Sequence, residues 1–238
     1  MARDDALLGT IQEGDIPVIR LYRFVPPSIS IGRLQRSSDF DIHSAEKDGL
    51  GFIRRPTGGM AVLHDVELTY SFVFPKSFFP KFGKRQVYDY IANALTTCLS
   101  DLSVQAHTVS GKKGDLKSAD CYASTGEYEI EDSTGKKLIG SAQMVSRQAV
   151  LQHGSIPIDR SRFTLKDYLI NGGSGSHGTT IKAVTGKNFT FSQVEASFIS
   201  TFSRIFDIIP AELSTTEEEA AKELYNSRYA KTEWNEKY

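Results

Sequence analysis

The chain has 238 residues, of which 39% are hydrophobic and 24% charged, with a formal net charge of −1. This is enough chain to bury a sizeable core, and the composition is that of a soluble globular protein. The charge balance excludes a global basic field for nucleic acid or anionic lipid, and no run approaches the roughly 18 apolar residues of a membrane span; neither nucleic acid nor membrane is an expected partner.

The first ten residues, MARDDALLGT, carry acids and no apolar h-region, which is not a signal peptide and favours a cytoplasmic location. Leu7, Leu8 and Ile11 share a helical face that Gly14 can end. Pro17 to Gly32 is rich in Ile, Val, Tyr and Phe and is interrupted by Pro26-Pro27, so two strands around a turn are expected. Ser38 to Gly49 is polar and weakly helical. GFIRR, MAVLH and Leu68 to Phe74 read as strands, with a turn at Gly58-Gly59. Gln86 to Val104 is an amphipathic helix carrying Val87, Ile91, Ala94, Leu95, Cys98 and Leu102 on one stripe. Ser110 to Ser118 is a polar loop. Glu127 to Glu131, Lys136 to Val145 and Ala149 to Ile158 read as strands. Residues 171–188 form a Gly-, Ser- and Thr-rich loop expected to be mobile. Two closing helices within 192–238 are marked by capping-box patterns, Ser192 with Glu195 and Ser214 with Glu217. Strands mixed with a few helices, without regular βαβ alternation, indicate an α+β fold in a single domain over 1–238.

Few residues attract chemistry on local grounds. Cys98 lies on the apolar stripe of a helix, where a thiol behaves as a small hydrophobe. Cys121 lies in the polar junction Lys117-Ser118-Ala119-Asp120-Cys121-Tyr122, where it is either a reactive thiol or an incidental surface cysteine. In Gly135 to Gln143, lysines precede the small residues Gly140, Ser141 and Ala142, which let a backbone approach a ligand; a lysine-flanked hairpin is the other reading. Arg54 to His64 places two arginines before a Gly-Gly turn but lacks the spacing of a nucleotide loop. His64 and His153 are isolated, and no His, Cys or Asp cluster has metal-ligand spacing.

Taken in order, these segments resemble the lipoate–protein ligase A-like superfamily and, within it, the cysteine-dependent octanoyltransferases found in Gram-positive bacteria. The resemblance is carried by MARDDALL, PPSISIGRLQ, RRPTGGMAVLHDVELTYS, ADCYAS, YEI, GKKLIGSAQ, VLQHGSIPID and the terminal EWN. It implies a mixed β-sheet with flanking helices, like the catalytic domains of biotin and lipoate ligases. It implies Cys121 as the acyl-thioester nucleophile and Lys137 as the lysine that lies against the thioester. Arg54, Arg55, Gly58, Gly59 and His64 would shape the acyl and carrier site, with Gly140, Ser141, Ala142, Gln143, His153 and Gly154 as its opposite wall.

ATP-dependent ligases of the superfamily carry Arg-Asn-Asp before the lysine hairpin, where this chain has Ala119-Asp120-Cys121-Tyr122. They carry Gly-Asn after the histidine, where this chain has Val66-Glu67-Leu68-Thr69. Bacterial ligases also need an accessory C-terminal domain, for which few residues follow His153. These differences favour a transferase, although Met60 stands where the family has Arg or Gly. The implied reaction moves octanoyl from the phosphopantetheinyl thioester of acyl carrier protein, through Cys121, to a lysine of the glycine-cleavage H protein or a lipoyl domain, with no cofactor. The alternatives are amidotransfer between lipoyl carriers, an ATP-dependent ligase, and a non-enzymatic carrier-binding module.

Overall fold

The computed structural model describes residues 1–109, 129–171 and 178–238. Two sheets organise it. The larger has six strands in the order β1-β5-β9-β8-β7-β6, formed by β1 (Val18–Tyr22), β5 (Glu67–Pro75), β6 (Ala106–Val109), β7 (Glu129–Asp132), β8 (Lys137–Val145) and β9 (Ala149–Pro157). All its pairings are antiparallel. The smaller has three strands in the order β3-β2-β4: β2 (Ser28–Ile31), β3 (Gly51–Arg54) and β4 (Val62–His64). In it β2 runs parallel to β3 and antiparallel to β4. The helices are α1 (Ala2–Thr10), α2 (Ile42–Lys47), α3 (Lys84–Asp101), α4 (Ile181–Thr185), α5 (Phe191–Ile205), α6 (Thr215–Leu224) and α7 (Thr232–Asn235). The α+β expectation holds, with mixed pairing confined to the small sheet.

The alternation of β5 decides what lies on each side of the large sheet. Leu68, Tyr70, Phe72 and Phe74 face one way and join Val87, Ile91, Leu95 and Cys98 of α3 and Val194, Phe198 and Phe202 of α5 in the main core. Fully burying each such side chain contributes roughly 1.5–3 kcal/mol. Val73, on the opposite parity, packs on Leu7 and Leu8 of α1 and on Ile11 just past it, together with Leu151 of β9. Its neighbours Glu67, Thr69 and Ser71 share that parity and are buried polar residues. The register pairs Ser71 with His153 and Thr69 with Ser155, which extends the polar surface onto β9. A strand buried on both faces can hold a row of polar side chains only if each finds a partner. That row is where the site is built.

Some local expectations shift. The strands within Pro17 to Gly32 form, but β1 joins the large sheet and β2 the small one, so they are not a hairpin. The first closing helix is capped two residues earlier than Ser192. Thr190 accepts from Gln193 N, and the Gln193 side chain accepts from Thr190 N. The Ser214 and Glu217 capping box forms as read. Within 171–188, residues 172–177 lie outside the described residues, and Ile181–Thr185 is helical, capped by Thr180 and ended by Gly186 in the left-handed region. Strand β6 has no counterpart among the elements read from sequence.

Candidate active site

Arg55, the residue after β3, is the hub. Its side chain is buried, and an arginine can only donate. Its Nε donates to Thr57 Oγ1 at 3.2 Å, and Nη1 donates to Ser30 O at 3.0 Å and Ser30 Oγ at 3.4 Å. Nη2 donates to the carbonyls of Gly58 and Met60, both at 2.7 Å. The Gly58-Gly59 turn is thus wrapped onto the guanidinium. Gly59 has φ +91°, and a Cβ there would sit 2.9 Å from Arg55 Nη2, so both its conformation and its space require glycine.

From Arg55 two buried relays run outward. In one, Ser30 Oγ lies 2.8 Å from His64 Nε2, and His64 Nδ1 lies 3.0 Å from Glu67 Oε1. In the other, Thr57 Oγ1 lies 2.7 Å from His153 Nε2, and His153 Nδ1 lies 3.5 Å from Asp4 Oδ2. Each hydroxyl oxygen accepts from Arg55, so its own proton is directed at an imidazole Nε2. Nδ1 of each ring faces a carboxylate. Burial lowers the pKa of His153, more than Asp4 raises it, in keeping with a neutral ring. Burial opposes ionisation of Asp4, yet the facing His153 and the Arg20 cation hold its carboxyl well below the usual range. Asp4 also accepts from Arg20, Tyr22 and Ser71.

These groups border a pocket between the two sheets. The small sheet and its turn supply Ser30, Arg55, Gly59, Val62 and His64; the large sheet supplies Thr69, Gly140, Ser141, Ala142, His153, Gly154 and Ser155. Gly154 is obligatory, since a Cβ there would fall 2.5 Å from Gly140 O and 2.7 Å from the Tyr70 ring. Tyr70 in turn shares a 2.7 Å hydrogen bond with Ser141 Oγ. On the large-sheet side the lining is mostly glycine and small side chains, with His153 among them.

Of the residues named from sequence, Arg55, Gly59, His64, Gly140, Ser141, Ala142, His153 and Gly154 meet at this pocket. Gly58 stands behind it, its carbonyl held by Arg55. Gln143 lies further along β8, donating to Lys84 O at 3.1 Å and Gln152 Oε1 at 2.6 Å. Arg54 is elsewhere. Its fully buried guanidinium donates to the carbonyls of Trp234, Gly32, Arg33, Gln35 and Lys237. Lys137 opens β8, three residues before Gly140, and its buried ammonium pairs with Glu129 of β7. Cys121 lies outside the described residues. Cys98 is fully buried in the main core, where burial pushes its thiol up to about 12. Among the described residues no group of His, Cys, Asp and Glu is arranged to hold a metal ion, and no helix is long and apolar enough to cross a membrane.

Asp4, Ser30, Thr57 and Glu67 were not assigned roles from sequence. Glu67 had a readable signal, an acid opening an apolar strand three residues after a histidine. Asp4 and Asp5 had a weaker one, sharing a short helix with Leu7 and Leu8. Ser30 and Thr57 are small polar residues that only the fold distinguishes.

The Lipoyl protein ligase A/B catalytic domain matches residues 1–203. Octanoyltransferase LipM of Geobacillus kaustophilus is 34% identical over 99% of this chain and 92% of its own length. The protein of the same designation from Carboxydothermus hydrogenoformans is 33% identical over 98% of this chain and 92% of its own. Among solved structures, protein Ta0514 of T. acidophilum with bound lipoic acid superposes with a TM-score of 0.82 at 25% identity, covering 99% of this chain and 92% of that one. Lipoate-protein ligase A bound with ATP superposes at 0.78, also with 25% identity, 99% and 92%. The chain belongs to the lipoyl protein ligase A/B catalytic domain family and is an acyltransferase enzyme grouped with its octanoyltransferases.

Proposed function

We propose that the protein takes an octanoyl group from acyl carrier protein onto Cys121 and passes it to a lysine of a lipoyl-carrier protein, a glycine-cleavage H protein or a lipoyl domain. The donor is already a thioester, so neither ATP nor another cofactor is required. The observation that carries the reading is the buried Lys137 at the start of the strand whose small residues, Gly140 to Ala142, form part of one wall of the pocket. The full-length similarity to curated octanoyltransferases supports the acyl group.

In the first half-reaction the Cys121 thiolate attacks the donor carbonyl. The new C–S bond forms as the carrier's C–S bond breaks, and the carrier thiolate takes up a proton. A lysine ammonium beside the thiol favours the thiolate and the developing oxyanion, which is the role assigned to Lys137. In the second half the acceptor amine attacks the enzyme thioester, giving an amide and restoring Cys121. Thioester to amide is downhill, so positioning is most of the work.

Mixing the protein with octanoyl-acyl carrier protein in the absence of ATP, followed by intact mass measurement, tests this. The expected product is a hydroxylamine-labile octanoyl adduct that is missing in Cys121→Ala. Absence of the adduct in the unaltered protein would overturn the thioester route.

A further inference from the structure

The acceptor reaches the enzyme as a lysine ammonium, and near neutral pH only about one such side chain in a thousand is the free amine. The second half-reaction therefore needs a base at the pocket, and the inference rests on the transfer reading above. Two histidines border the pocket, and their surroundings differ. His153 faces Asp4, whose carboxylate already accepts from Arg20, Tyr22 and Ser71. Its Nε2 engages Thr57, which does not line the pocket.

His64 has the opposite arrangement. Glu67 Oε1 takes His64 Nδ1 and Thr69 Oγ1, while Oε2 is buried with no hydrogen-bond partner among the described residues. Among those residues the ion-pair partner of Glu67 is His64 itself. The carboxylate is thus uncompensated until that ring gains a proton. Phe24 stacks on the ring at 4.2 Å and fixes its plane. At the other end Ser30, which lines the pocket, has its Oγ 2.8 Å from His64 Nε2 and accepts from Arg55 Nη1 at 3.4 Å.

We propose that Ser30 and His64 form the relay that deprotonates the acceptor lysine, with Glu67 as the positioning residue that stabilises the resulting imidazolium. The ammonium gives one proton to Ser30 Oγ as the Ser30 proton moves to His64 Nε2. The freed nitrogen pair then attacks the thioester carbon, and the C–N bond forms. As the C–S bond breaks, a second nitrogen proton goes to the Cys121 sulfur. The third stays on the amide, and His64 returns its proton to solvent.

The test compares two nucleophiles on the same octanoyl-Cys121 enzyme: the lysine of a lipoyl carrier at saturating concentration, and hydroxylamine, which is a neutral amine near neutral pH and needs no base. The measured quantity is the ratio of the two deacylation rates. In Ser30→Ala and Glu67→Gln that ratio is expected to fall about 100-fold, the usual scale of a general base. A purely structural role would slow both reactions together. A ratio within threefold of the unaltered protein in either folded variant would overturn the relay and leave the transfer reading standing. Should Glu67→Gln not fold, Ser30→Ala, which removes a single oxygen, decides. Failure of the unaltered protein to form the acyl-enzyme would overturn both readings.

Discussion

Buried ionisable side chains set how this protein responds to acid. Burial holds the His153 pKa below its ordinary value of 6.5. The unfolded chain therefore takes up a proton below about pH 6.5 that the folded state refuses, and stability falls as pH drops through that window. Asp4, held below the ordinary 3.8, adds a loss of the same sign in stronger acid. Thermal melting between about pH 7.5 and pH 5.5 is expected to show a falling midpoint, by up to about 1.4 kcal/mol per pH unit for one group. His153→Gln should flatten that slope, and an unchanged slope would assign it to other groups. Lys137 gives a second prediction at this scale. If its ammonium favours the Cys121 thiolate, alkylation of Cys121 near neutral pH should slow by roughly tenfold in Lys137→Ala. Equal alkylation rates would remove that role. What sequence could say about such residues was uneven. His64, His153 and Lys137 were named through the family resemblance, since on local grounds the histidines stood isolated and the lysine read equally well as part of a hairpin. Their partners Asp4, Ser30, Thr57 and Glu67 owe their roles to registers between strands and a helix distant in the chain, which local patterns do not encode.

At the scale of elements, the arginine pair at the end of β3 divides its labour. Arg55 holds the pocket turn, while Arg54 fastens the terminal segment. Trp234 Nε1 donates to Arg54 O at 2.9 Å, and Arg54 N donates to Asn235 Oδ1 at 3.1 Å, so the Trp234-Asn235 pair and Arg54 meet across the fold. Their separation in sequence hid this contact, although both segments stood out as motifs. Arg54→Ala would leave buried carbonyls without their donor and is expected to cost about 3–5 kcal/mol. Arg54→Lys should restore only part, because an ammonium cannot reproduce the planar fork. A loss under 1 kcal/mol on urea unfolding would contradict the clamp. The α5 cap offers a sharper contrast between sequence and structure. Ser192-x-x-Glu195 reads as a capping box, but Thr190 and Gln193 make the bonds. Both patterns fit the local rule, and only the path of the preceding chain selects between them. Thr190→Ala should cost about 1 kcal/mol and Ser192→Ala a few tenths; equal costs would contradict the assignment.

Across the whole molecule, the site is a product of two sheets facing each other. The polar parity of β5 and β9 supplies one wall, and the Arg55 turn of the small sheet supplies the other. The α+β class was legible from the order of strands and helices. The division into two sheets was not, because adjacent strands β1 and β2 read alike and part company only in the fold. Gly59 and Gly154 have no room for a Cβ, and Gly154→Ala, colliding with Gly140 O and Tyr70 beside the pocket, should reduce transfer more than it reduces stability. The central claim is that the acyl group enters as a thioester and leaves as an amide without ATP. Its most direct test is to incubate the protein with an apo lipoyl carrier and either octanoyl-acyl carrier protein without ATP or free octanoate with ATP and magnesium, and to weigh the carrier. The account expects the octanoyl mass on the carrier lysine in the first mixture and none in the second; modification in the second mixture alone would contradict it.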